Sequence, residues 1–211
     1  MVDIHLSEEE QVEELKKWWK ENGRSVVAGV VLGLGGVFGW QYWTQHQQTV
    51  AEQAAYQFQQ LTMAVARGTS ATAVKQAEGL INDYPGSTYA VFAALNLAKL
   101  KQQEGDSAAA GVHLQWAVDN TDDASLQQIA RLRIARLLLN EGDVDAAATI
   151  AATGDTGSFQ GDFLELQGDI ALKKGNREAA RQAYQEALAM QVSNIALVQM
   201  KFDDLAASGN Q

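Results

Sequence analysis

No residue between Arg24 and Glu52 is charged, and that single stretch constrains the fold more than any other part of the chain. Its apolar portion, 25–43, is nineteen residues long. As a helix it rises about 28 Å at about 1.5 Å per residue, which matches the hydrocarbon thickness of a bilayer. Trp18, Trp19 and Arg24 stand before the run, and Trp40, Tyr42 and Trp43 close it, as expected where a span meets the headgroups. Three other readings fit less well. A buried core helix is seldom this long. A cleaved signal peptide needs small residues where these bulky aromatics stand. A dinucleotide-binding loop starting at Gly33 and Gly35 would need glycine at 38, where Phe38 stands, and a preceding strand.

Lysine and arginine are one-sided. Lys16, Lys17, Lys20 and Arg24 precede the span, and nothing basic follows until Arg67, which predicts a cytoplasmic N-terminus. Glycines in the span form two helical stripes: Gly29, Gly33 and Gly36 on one face, Gly35 and Gly39 on another. Small residues let a second helix approach closely in lipid, so these five positions are candidates for helix packing. In the tail, Ser7-Glu8-Glu9-Glu10 reads as a capping box that starts an amphipathic helix. Val12, Leu15 and Trp19 line its apolar face, with Trp18 beside it, and Asn22-Gly23 is expected to break or bend it before the span.

After the span the pattern changes. Gly68, Gly105, Gly142 and Gly175 recur at intervals of 37, 37 and 33 residues. Five residues after them stand Ala73, Ala110, Ala147 and Ala180, and twelve after them Leu80, Ala117, Gly154 and Ala187. Seven before them stand Leu61, Ala98, Ala135 and Gly168. This is the phasing of a helix–turn–helix repeat: glycine closes the first helix, and small residues sit where two helices cross. Asp106, Asp143 and Asn176 follow the turn glycines as expected caps. The match is to the tetratricopeptide pattern, clearest over 175–188 and nearly as good over 105–118. Pro85 falls where that pattern often closes a repeat, while the third repeat loses its end at Gly154 and Gly157. Thr44–Ala66 is expected to continue from the anchor as the first helix of repeat one. Gln191–Ala207, with Ile195, Val198, Phe202 and Leu205 at helical spacing and Lys201, Asp203 and Asp204 left for solvent, is expected to cap the solenoid. The fold class is thus all-α: a transmembrane helix, then a TPR-like α-solenoid of about four repeats and a capping helix. The boundaries are 1–24 for the tail, 25–43 for the span and 44–211 for the repeat domain.

The net charge is −10, and residues 44–211 hold twelve basic against nineteen acidic residues. A chain without a basic stripe repels phosphate backbones, so no nucleic-acid partner is expected. There is no cysteine, which excludes disulfides and thiolate metal sites. His5, His46 and His113 fall too far apart in the pattern to converge; His46 reads as interfacial and His113 as a surface residue. No nucleophile–base spacing, phosphate loop or zinc helix motif is present. No catalytic residue, metal or cofactor is therefore expected. TPR domains bind protein partners along the concave face made by the first helix of each repeat. That geometry marks Phe92, Leu95, Lys99, Ile129, Leu132, Arg136, Glu165 and Asp169, some of which belong simply to the core.

With both halves read, the chain resembles the YfgM family, the ancillary SecYEG translocon subunits, over nearly its whole length. The residues that carry the resemblance are Gln11-Val12-Glu13, Lys20-Glu21-Asn22-Gly23, Gly33, Gly39-Trp40 and Trp43. The resemblance implies a single-pass inner-membrane protein of Gram-negative bacteria with a periplasmic TPR-like domain. It implies association with the SecYEG translocon, with the membrane-anchored chaperone PpiD and with exported client proteins. It also implies a cytoplasmic tail tied to a stress-response regulator. The alternative reading is a membrane-tethered TPR scaffold for another envelope assembly.

Overall fold

The computed structural model describes residues 8–152, 154 and 156–207, and the side chains within 11–205. Ser7 of the expected capping box and His5 lie outside the described residues. Nine α-helices and a 3-10 turn make up the described chain. It divides into two compact units, Met1–Glu52 and Gln53–Gln211.

Among the described residues the first unit is a single helical segment. Helix α1 runs Glu8–Ala66 and is long and apolar enough to cross a membrane, with none of its apolar window buried in the protein. Valine, leucine and phenylalanine side chains point outward all round it: Val31 is 62% exposed, Leu32 76% and Phe38 64%. A helix apolar on every face is suited to lipid rather than water. The expected break at Asn22-Gly23 does not occur; α1 continues through both residues. Asn22 Nδ2 donates to the Trp18 carbonyl at 3.1 Å, and the Trp19 ring lies over Gly23. One glycine costs a helix only about 1 kcal/mol, too little to end it between good helix formers.

The second unit begins where α1 starts to bury side chains, at Ala54 and Leu61. The end of α1 pairs with α2 (Ser70–Asp83), α3 (Thr88–Gln103) with α4 (Ser107–Asp119), α5 (Ala124–Glu141) with α6 (Val144–Ala151), and α7 (Gln160–Lys173) with α8 (Arg177–Leu188). Helix α9 (Ile195–Ala207) covers the end. The four phased glycines all adopt positive φ, from 72° at Gly68 to 89° at Gly142, a conformation that costs an L-residue. At each, the amide of the next residue reaches back five positions, as Asp143 N does to the Leu138 carbonyl at 2.9 Å. This doubly bonded turn stops the first helix and aims the second.

The expected caps form. Asp106, Asp143 and Asn176 accept from the amides of Ala109, Ala146 and Ala179 at 2.9, 3.0 and 3.1 Å. Helix α6 is only 8 residues long, shorter than its counterparts, because Gly154 and Gly157 turn the chain with φ of 73° and 51°. It therefore depends most on its cap. Asp143→Ala should cost about 1 kcal/mol in chemical denaturation, and Asp143→Asn should recover most of that. Equal stability of the alanine variant would show that the bond is dispensable.

The phased alanines do pack. Ala73, Ala147 and Ala180 are fully buried and Ala110 is 1% exposed, each at the crossing of its helix with the preceding one. Pro85 sits in the turn between α2 and α3, just before Ser87, which caps α3 through the Ala90 amide. Helix α9 buries Val198 and Leu205 against Tyr184 and Ala187, with Phe202 packed beside them. Ile195 was expected on that stripe but is 61% exposed, because the helix starts there and its first turn overhangs the apolar surface.

Candidate functional site

The candidate partner-binding side chains are carried on α3, α5 and α7, the first helices of the second, third and fourth repeats, and the fold gives them three different settings. Leu95, Leu132 and Glu165 are buried, at 6%, 5% and 4% exposure. Phe92, Ile129, Arg136 and Asp169 are half-buried, and Lys99 is exposed. Phe92 stacks tilted against Phe58 with centroids 5.7 Å apart, and Phe58 in turn meets Tyr89 at 5.6 Å, so an aromatic ridge joins α1 to α3. Ile129 and Phe92 both pack on the core cluster of α3, α4 and α5. Leu132 belongs to the next cluster, with Phe163 and Leu166.

Two clefts lie between these helices. One, of about 320 Å³, runs between α3 and α5 over α4, with Leu95, Leu114 and Leu137 in its floor and Lys99, Arg133 and Arg136 around it. The second, of about 420 Å³, lies among α5, α7 and α9 and contains Arg136, Asp162, Glu165, Asp169 and Lys201.

The second cleft is organised by charge. The Glu165 carboxylate takes Arg136 at 2.9 Å and Lys201 at 2.8 Å. Lys201 also holds both oxygens of Asp169 at 2.7 Å, and the Tyr184 hydroxyl donates to Asp169 at 2.7 Å. A carboxylate as buried as Glu165 is tolerable only when paired in this way, since leaving it alone would cost several kcal/mol. Burial first, and then the bond to Asp169, hold the Tyr184 phenol well above its ordinary pKa, so it remains a donor. Below this network the Asp162 carboxylate, 2% exposed, accepts from the Ser193 amide at 3.1 Å and its hydroxyl at 3.0 Å. These bonds fasten the segment before α9 to α7. Lys201, expected in solvent, is instead turned inward with a side chain only 24% exposed. Arg136, Glu165 and Asp169 are thus brought together by a residue that sequence spacing had assigned to the surface. Asp162 and Ser193 gave no signal in the sequence, because their pairing spans 31 positions.

The anchor candidates are separate. Apart from the neighbouring residues and nearby backbone of the helix itself, no described atom lies within 4 Å of where a β-carbon would stand at Gly29, Gly33, Gly35, Gly36 or Gly39. Trp18, Trp19, Trp40 and Trp43 are exposed, and Trp40 and Trp43 contact each other at 5.5 Å. Arg24 is exposed at the N-terminal edge of the apolar stretch. His46 is exposed in the first unit, whereas His113 is half-buried on α4, where burial and then Lys101 lower its pKa.

A family model described as a tetratricopeptide repeat-like domain matches residues 16–207, which takes in the apolar stretch as well as every repeat. The chain is 33% identical over 182 residues to a protein of Haemophilus influenzae named ancillary SecYEG translocon subunit, covering 86% of this chain and 89% of that one. It is 30% identical over 207 residues to the protein of the same name in Escherichia coli K12, covering 97% and 100%. A third of that name, from Neisseria gonorrhoeae, is 27% identical over 212 residues, covering 95% and 98%. An N-terminal apolar helix joined to glycine-phased helical pairs, alignable end to end with these relatives, places the chain in the YfgM family, that of the ancillary SecYEG translocon subunits.

Proposed function

We propose that this chain is a membrane-anchored, non-enzymatic adaptor of the Sec translocon, with its tail in the cytoplasm and its repeat domain in the periplasm. The anchor packs by its glycine faces beside a translocon or chaperone helix. The repeat domain offers a groove to exported proteins and passes them to a periplasmic chaperone of the PpiD type. The observation that carries this reading is the end-to-end match to proteins named translocon subunits, anchor included. The basic residues before the span support the orientation. The open groove flanked by Lys99 and Arg136 supports a role in holding protein partners.

Photo-crosslinkers placed at Gly29, Gly33 and Arg136 in cells test it. The two anchor positions should yield adducts with Sec or chaperone subunits, and position 136 adducts with chaperone or exported chains. A C-terminal reporter should be active only in the periplasm. Cytoplasmic reporter activity, or crosslinks to none of these proteins, would overturn the reading.

A further inference from the structure

The cleft between α3 and α5 has a charge opposite to that of its surroundings. Residues 44–211 carry a net −7, from twelve basic and nineteen acidic residues. Yet the residues lining this cleft include three cations, Lys99, Arg133 and Arg136, and no carboxylate. Two of the three have no ion pair among the described residues. Lys99 is exposed, and Arg133 reaches across the cleft only to the Leu95 carbonyl, at a long 3.5 Å. Arg136 spends its guanidinium on Glu165, which belongs to the neighbouring cleft. Burial, and then the nearby Arg136, lower the Arg133 pKa. Beneath the cations the floor is apolar, with Leu95, Leu114 and Leu137.

Lys99 and Arg133 thus face the cleft with no ion-pair partner among the described residues, and an anionic ligand would supply one. A duplex or single-stranded nucleic acid would bring a long phosphate backbone against an acidic domain. A short anionic group on an otherwise apolar segment would meet the two unpaired cations, Lys99 and Arg133, and no carboxylate in the lining of the cleft. We propose that this cleft is a recognition pocket for a carboxylate-bearing segment of extended polypeptide: an Asp or Glu side chain held by Lys99 and Arg133, next to an aliphatic side chain seated on the leucine floor. A cavity of about 320 Å³ accommodates a short segment and not a folded surface. Arginine suits the planar carboxylate because it can donate two parallel bonds. The proposal rests on the adaptor reading only in taking this groove as the partner face, and it adds the chemistry that the groove selects.

The test uses the full-length protein in mild detergent and two short labelled peptides. One carries Glu-Leu-Glu and the other the isosteric Gln-Leu-Gln, and binding is followed by fluorescence anisotropy. The native protein should prefer the acidic peptide by about tenfold, the scale of one or two charge-assisted bonds, and the preference should shrink as salt is raised. Lys99→Gln with Arg133→Gln should abolish the preference while the helical circular dichroism and melting remain native. Lys99→Arg with Arg133→Lys should keep most of it. Equal binding of both peptides by the native protein, or binding of neither, would overturn the proposal. So would a preference that survives the double glutamine variant. Saturation by inorganic phosphate with no discrimination between the peptides would also overturn it, because the cations would then serve a phosphate ligand. Charge preference without any translocon crosslink from the anchor would instead overturn the adaptor reading and leave this pocket standing.

Discussion

Gly168→Ala is expected to destabilise the repeat domain by about 2 kcal/mol, and Gly168→Leu by more than about 4 kcal/mol, despite glycine's poor helix propensity. Gly168 lies in mid-helix in α7, where alanine would ordinarily gain about 1 kcal/mol. A β-carbon there, however, would stand inside the van der Waals envelope of the Tyr184 ring. That ring cannot give way. It is fully buried, packed with Ala180, Ala187 and Val198, and its hydroxyl is held by Asp169. The steric penalty therefore outweighs the propensity gain. Gly111→Ala provides the control, since its β-carbon would meet Leu137 at an ordinary 3.7 Å and the change should be neutral or stabilising. Chemical denaturation of the two variants side by side decides the matter. A Gly168→Ala protein as stable as the native one would mean that α7 and α8 do not cross at this close approach.

Exchanging residues 25–43 for an unrelated apolar span is expected to leave the protein in the membrane and to remove its copurification with translocon subunits. Insertion depends on length and hydropathy, and any span of similar length meets that need. Association inside lipid has no hydrophobic drive and relies on close backbone approach, which Gly29 and Gly33 permit. The double variant Gly29→Leu, Gly33→Leu should reproduce the loss with two residues changed, because it makes the segment more apolar while bulking one face. The crosslinks from that face should fall by about tenfold or more, the consequence of losing roughly 1.4 kcal/mol of packing. Undiminished copurification after the exchange would pass the function to the runner-up, a membrane-tethered scaffold whose anchor is only a tether.

Much of this architecture could be read from local spacing. A turn glycine such as Gly142 and its cap Asp143 act within five positions of each other, so their pattern survives in one dimension. The same holds for Ala147, which must be small because it always falls at the same point of the crossing. The site was legible in part. Lys99 and Arg136, expected on first helices of their repeats, both line the cleft between α3 and α5, but the place of Arg133 beside them and the burial of Glu165 were not visible. Arg133 lies one turn from Arg136 and reads as another solvated charge until α3 is brought alongside.

The amino-acid sequence alone determined an uncharged stretch fit to span a bilayer, basic residues on one side of it, and helical pairs phased by glycine. Each of these depends on a single residue's backbone preference, or on hydropathy summed over neighbours. Only the tertiary structure decided that Lys201 leaves solvent for Glu165, 36 positions away, and that Asp162 fastens the chain at Ser193. The physical reason is that a charged side chain gains little until a counter-charge and a low-dielectric wall are brought to it. Both come from helices distant in the chain, whose docking no local pattern records.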